Sequence, residues 1–165
     1  MQSRSSRASL MAEVQDHTIV ASRLSQVRTA LERIEVFADF PGPLLDELAS
    51  EFRYAELEPG TVVVTQGTTG DRFFVVASGE LEVLVVSDGV ESRVGTLAGG
   101  DVFGETALLE NSPRTATVRT ITVATLWTLT KEAFQAWLSR VPELRNRVDE
   151  VVRRREIATA FMTLQ

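Results

Sequence analysis

Apolar residues recur at intervals of three and four from Ser22 to Ala38, at Leu24, Val27, Leu31, Ile34 and Phe37, with Arg23, Arg28 and Arg33 on other faces. That spacing predicts one amphipathic helix. After a turn at Pro41-Gly42, the run PLLDELASEF predicts a second, shorter helix, with Pro43 at its first position and Leu44, Leu45 and Leu48 on its apolar side. Beyond Phe52 the period changes. Nine of the ten glycines fall between Gly60 and Gly104, and they separate short runs rich in Val, Thr and Phe: YAELE, TVVVTQ, RFFVVAS, LEVLVVS, SRVGTL and DVF. Each is strand length, and TATVRTI and ATLWTL come further on. Turn signals at Pro59-Gly60, Ser87-Asp88-Gly89 and Gly99-Gly100 complete a pattern of evenly spaced strands that predicts a β-sandwich or jelly-roll barrel.

Alternation along LEVLVV puts Leu81, Val83 and Val85 on one face and Glu80 and Glu82 on the other. Past Thr130, an N-cap, KEAFQAWLSR predicts a helix with Phe134, Trp137 and Leu138 on one side. Val141-Pro142 breaks it, and Pro142 opens a longer helix whose apolar side is Leu144, Val148, Val151, Val152, Ile157 and Phe161. The chain therefore divides into a flexible N-terminal tail or expression remnant (1–21), a helical segment (22–52), a β-barrel (53–130) and C-terminal helices (131–165).

Length and composition narrow the chemistry. At 165 residues, 44% hydrophobic and 24% charged, the chain suits one domain with a real core. A net charge of −6 argues against a nucleic-acid partner, because such domains carry a basic surface. No Cys occurs, which excludes disulfides, thiolate metal sites and cysteine nucleophiles. The one His, His17, lies in a polar stretch and reads as a solvated surface residue. Ser-His-Asp catalysis and histidine metal clusters have no support, nor does a cupin-like barrel enzyme, which needs clustered His ligands. No apolar run approaches a membrane span, so direct membrane insertion is not expected of this segment.

One run concentrates the remaining chemistry: FGETALLENSPRTATV, Phe103 to Val118. Gly104 lets the backbone turn sharply and approach a ligand closely. The residues ALLE form a short helical turn whose first amides have no partner within it and suit a phosphate. Pro113 stiffens the loop, and Arg114 supplies a planar fork of donors for phosphate oxygens. Glu105 only accepts, which makes it the wrong partner for a phosphate and a good one for sugar hydroxyls. The combination reads as phosphate at one end and ribose at the other.

The pattern F-G-E, then A-L-L, then P-R-T-A-T-V resembles the phosphate-binding cassette of cyclic nucleotide-binding domains, as found in cyclic-nucleotide-dependent kinases, gated channels and bacterial regulators. The resemblance covers about Leu24 to Phe161. It implies a mainly β fold with flanking helices: an eight-stranded β jelly-roll barrel with N-terminal helices, a short cassette helix and two C-terminal helices acting as a lid. By the same resemblance Glu105 accepts the ribose 2′-hydroxyl and Arg114 pairs with the cyclic phosphate. The amides of Ala107 and Thr115, with Gly104 beside the ribose and Phe103 and Thr106 in the same run, complete the cradle. Val83 and Leu97 form the apolar wall against the purine. Thr115 stands where many members have Ala, and a hydroxyl there can bond a guanine amino group, so the expected ligand is cAMP or cGMP, with no metal. Arg155 is the counterpart of a final-helix arginine that reaches the purine in gated channels; an apolar cap from Val152 or Ile157 competes with it.

The expected function is a non-enzymatic regulatory module. Binding of cAMP or cGMP closes the lid helix, repacks the N-terminal helices and controls a fused or separate effector such as a channel, transporter or enzyme. No helix-turn-helix comes after the last helix, which argues against a complete bacterial activator. The chain reads as a piece of a larger protein or a small subunit, in the cytoplasm or on the cytosolic side of a membrane protein. The alternative is an interaction domain of the same fold with an empty pocket, forming a homodimer through its helices.

Overall fold

The computed structural model describes the backbone of residues 14–163 and the side chains of residues 14–154. All eight strands expected between residues 53 and 130 form: β2 (Arg53–Leu57), β3 (Val62–Val64), β4 (Arg72–Ser78), β5 (Leu81–Ser87), β6 (Val90–Leu97), β7 (Val102–Phe103), β8 (Thr117–Thr120) and β9 (Ala124–Thr130). A two-residue strand, β1 (His17–Thr18), precedes them. They build two antiparallel sheets, ordered β1-β2-β9-β4-β7 and β3-β8-β5-β6. The helices are α1 (Leu24–Leu31), α2 (Gly42–Glu51), α3 (Glu105–Glu110), α4 (Lys131–Arg140) and α5 (Pro142–Thr163). Among the described residues no helix is long and apolar enough to cross a membrane.

β4 shows why the two halves hold together. RFFVVAS is apolar on consecutive positions, the pattern of a strand covered on both faces. Phe74 and Val76 face the other sheet and pack with Leu81, Leu97, Phe103, Val118 and Leu126. Phe73 and Val75 face the helices and join Phe37, Leu45, Phe52, Phe134 and Trp137. The ring of Phe134 from α4 stacks on Phe73 at 4.4 Å and 13°, a contact worth about 0.5–1.5 kcal/mol beyond its buried area. The Thr130 hydroxyl accepts from the Ala133 N–H at 3.1 Å, as an N-cap should, and thereby sets where β9 ends and α4 begins.

Two expectations are corrected. The helix predicted over residues 22–38 is split: α1 ends at Leu31, and a separate 3₁₀ turn spans Glu35–Phe37. Ile34, Val36 and Phe37 are all buried. Residues 34 and 36 would stand about 200° apart on an α-helix, so no single face of a continuous helix could bury both. Breaking the helix places all three in the core.

The second correction concerns the tail assigned to residues 1–21. Within its described part, Val14 and Ile19 are buried, and His17 and Thr18 pair with Tyr54 and Arg53 of β2. His17 itself is exposed, as expected, with its ring 5.4 Å from Tyr54. Asp16 anchors the segment. It accepts from Arg53 Nε at 2.6 Å and from the Thr128 hydroxyl, and Arg72 Nε lies 3.6 Å away. Arg72 also donates to the Val14 carbonyl. These partners come from β2, β4 and β9, so nothing in the local composition of residues 14–18 announces them.

Burial opposes ionisation of Asp16, but the Thr128 hydrogen bond and the Arg53 and Arg72 guanidinium groups outweigh it and hold the carboxyl below its usual range. A carboxylate with a lowered folded pKa adds stability that is fully present above its unfolded pKa and is lost as pH falls through the folded value. The melting temperature of the wild type should therefore fall as pH drops below about 4, the ordinary aspartate value. Asp16→Asn should melt lower at pH 7 and lose less over the same acid range. Parallel pH profiles for the two proteins would contradict the role given to Asp16.

Candidate functional site

β7 lies along β4, with Phe103 opposite Phe74 and the two rings stacked at 4.7 Å and 8°. The next residue, Gly104, has φ 91°, a left-handed conformation that costs glycine little and other residues more. It caps the six-residue α3, and Glu105, in the first turn of that helix, is only 3% exposed. α3 ends at Asn111 with φ 54°, and the chain returns through Pro113, which bridges to Thr69.

Arg114 is 4% exposed. Its Nη1 donates to the Gly104 carbonyl at 2.7 Å and its Nη2 to the Arg72 carbonyl at 2.8 Å. The guanidinium carbon sits 5.7 Å from the centre of the Phe74 ring. The backbone of Arg114 is held as well. Its N–H donates to the Thr68 carbonyl at 2.7 Å, and its carbonyl accepts from the Gly67 N–H at 2.8 Å. A buried guanidinium is tolerable only when such partners replace water. The space is made by glycine: a Cβ on Gly70 would stand 2.7 Å from the guanidinium carbon, and one on Gly104 would stand 2.8 Å from Nη1.

These groups line one end of a cavity of about 530 Å³, within the range of about 300–1,000 Å³ typical of small-molecule sites. Phe103, Gly104, Glu105, Thr106, Ala107, Arg114 and Thr115 all border it. So do Val83 and Leu97 across from them, joined by Val64, Val85, Val94 and Val118 into an apolar wall. On the outer side of that wall Glu82 is gripped by Arg119 at 2.8 Å and Arg93 at 3.1 Å. The Arg119 hydrogen bond leads the interactions that hold its carboxyl below the usual range. Val152 of α5 closes over the cavity. Cation, carboxylate and apolar wall thus share one space, an arrangement suited to a ligand that is anionic at one end, hydroxylated next to it and flat and apolar beyond. Among the described residues no cluster of three or more His, Cys, Asp or Glu could hold a metal ion.

The model of the cyclic nucleotide-binding domain matches residues 54–141, more than half of the chain. The chain belongs to the cyclic nucleotide-binding domain family. It is 40% identical over 111 residues to the cAMP-dependent protein kinase regulatory subunit of Yarrowia lipolytica, covering 67% of this chain and 29% of that protein. It is 33% identical over 135 residues to the cGMP-dependent protein kinase of Eimeria tenella, covering 81% of this chain and 13% of that one. The chain thus spans less than a third of these relatives. Among solved structures, the regulatory domain of Toxoplasma gondii PKA, crystallised with cAMP, superposes with a TM-score of 0.66 at 30% identity, covering 72% of this chain and 45% of that one.

Within this cyclic nucleotide-binding domain the expected residues converge on the cavity, apart from Arg155, whose side chain lies outside the described residues together with Ile157. Val152, the other expected cap, does reach it. Val94 was not foreseen. Strict alternation from Leu97 puts Gly95 and Arg93 on the inner face, but the register slips between Val83–Gly95 and Leu84–Arg93, and this bulge leaves Val94 lining the cavity. Gly70 was also missed. In the sequence it is only one of the nine glycines that separate the strand runs, and only the folded loop sets it against Arg114.

Gly70→Ala should displace the guanidinium while leaving both cores untouched. Affinity for a cyclic nucleotide should fall at least about tenfold, equivalent to about 1.4 kcal/mol, with a smaller change in unfolding free energy. Titration calorimetry beside a denaturant melt checks this, and an unchanged dissociation constant would show that Arg114 has room to spare.

Proposed function

We propose that this domain binds a cyclic purine nucleotide, cAMP or cGMP, and converts occupancy into a rearrangement of α5 against the N-terminal helical segment. The observation that carries the reading is the buried Arg114 beside Glu105 in a single cavity with an apolar far wall. In this reading Arg114 neutralises the cyclic phosphate with help from the amides of Ala107 and Thr115. Glu105 accepts the ribose 2′-hydroxyl, and Gly104 lets the backbone approach the sugar. The purine rests on Val83 and Leu97, and Thr115, exposed at the mouth, can meet a guanine amino group. The cAMP held by the Toxoplasma relative supports the ligand class.

The module is read as non-catalytic. Its one His, His17, is exposed in β1 and does not border the cavity, so no imidazole is poised beside the ligand. Its output runs through α5. Val152 of that helix borders the cavity, while Arg154 pairs with Glu35 and Arg147 donates to the Ala38 carbonyl and covers the Phe40 ring at 4.8 Å. A ligand shifts this contact only by its differential affinity for two arrangements, and a tenfold preference is worth about 1.4 kcal/mol. The effector in this reading is a protein kinase, fused or separate, which the names of the relatives at 33–40% identity support. A cytosolic location is part of the same proposal.

Thermal melts with each nucleotide test the reading. Ligand at a hundred times its dissociation constant stabilises by about 2.7 kcal/mol, which raises the melting temperature by several degrees. No shift with either nucleotide would leave an interaction domain with an empty pocket. Arg114→Ala should remove most binding and retain the fold, at a stability loss of about 1–3 kcal/mol because the Gly104 and Arg72 carbonyls lose a donor. Thr115→Ala should weaken cGMP more than cAMP; equal losses would remove Thr115 as a base discriminator.

A further inference from the structure

Gln66 does not border the cavity, yet it is tied to both of its sides. Pairing between β5 and β8 runs from Leu81–Thr120 to Leu84–Thr117 and stops there. Two residues further along β5, the Gln66 side chain takes the place of a strand. Its Nε2 donates to the Val86 carbonyl at 3.2 Å, and its Oε1 accepts from the Val86 N–H at 2.8 Å. A primary amide offers one donor and one acceptor in a plane, as a peptide group does, so it can complete a ladder rung. The Gln66 backbone N–H meanwhile donates to the Thr117 hydroxyl at 3.0 Å, anchoring the same residue to β8.

Immediately after Gln66 the chain forms the clamp on Arg114. Gly67 and Thr68 hold the Arg114 carbonyl and N–H, and Gly70 lies against its guanidinium. On β5, the residues before Val86 include Val83 and Val85 of the apolar wall. One side chain therefore adds a link between the Arg114 clamp and the apolar wall, beyond the last β5–β8 pair at Leu84–Thr117. We propose that Gln66 is a positioning residue for ligand binding: its amide pins the Thr65–Gly70 loop to β5, so that Arg114 and the Val83–Val85 wall engage one ligand at the same time. This rests on the cavity being a cyclic-nucleotide site. It also implies that the residue acts without touching the nucleotide.

The test compares wild type with Gln66→Met, which keeps the length of the side chain and loses both hydrogen bonds, and with Gln66→Ala. Titration calorimetry with cAMP and cGMP should show dissociation constants raised about five- to tenfold in both variants, the loss expected for one to two net hydrogen bonds. In the ligand-free proteins, hydrogen exchange at the Gly67 and Arg114 amides should accelerate about tenfold, while the core amides of Val75 and Leu126 keep wild-type rates. A merely structural role would speed exchange everywhere. Wild-type affinity in Gln66→Met, or faster exchange spread evenly over the barrel, overturns the proposal. Should the wild type bind neither nucleotide, the cyclic-nucleotide reading falls on its own. Exchange at Gly67 and Arg114 then decides whether Gln66 holds the loop, and unchanged rates there reject it.

Discussion

A guanidinium held out of water is the constraint around which this domain is arranged. Arg114 is 4% exposed, and an ion so placed costs several kcal/mol unless hydrogen bonds replace its hydration. Those replacements include the Gly104 carbonyl at the start of the cassette and the Arg72 carbonyl at the start of β4. The loop before β4 grips the backbone of the same residue. Two segments distant in sequence, residues 67–72 and 104–114, must therefore be assembled before the charge can be buried. Gly104 and Gly70 are needed because any side chain there would enter the space the guanidinium fills.

β4 carries this local demand into the rest of the molecule. One face supplies Phe74, over which Arg114 lies, and the other supplies Phe73, on which Phe134 of α4 stacks. At its first residue, Arg72 gives its carbonyl to Arg114 and its side chain to Asp16 and Val14. The N-terminal segment, the cavity and the helical layer thus share one strand. α5 reaches the cavity through Val152 and the turn at Glu35–Phe37 through Arg154, which makes it the described helix that can report on both. Contact with both regions gives α5 the place for such a role; coupling itself requires two arrangements of the helix that both regions bias.

Much of this was readable along the chain because it is local. β-branched runs punctuated by glycine marked the eight strands of the barrel, and Thr130 and Pro142 marked the starts of α4 and α5. The cassette end of the cavity could be read because Phe103 to Thr115 lie in one short run whose donors and acceptors suit a sugar phosphate. Where the reading failed, a distant partner or a slip in register was responsible. Residues 14–18 look like tail until Arg53, Arg72 and Thr128 close on Asp16. Val94 faces the cavity only because a bulge overrides alternation, and the helix stops at Leu31 because Ile34 and Val36 cannot share one helical face.

The order of residues is enough to specify the kind of molecule: a β-barrel flanked by helices, with one cassette carrying a cation, a carboxylate and a glycine at fixed offsets. Periodicity, capping and motif spacing are properties of neighbouring residues, so they survive in the string of letters. The groups that complete the site are chosen only when the strands assemble. The acceptors of Arg114 are backbone carbonyls, which every residue possesses, and the rung beside Val86 is supplied by an amide that could have pointed elsewhere. Which carbonyl or amide is used depends on the relative placement of strands far apart in the chain, and the packing of β4 between its two cores sets that placement.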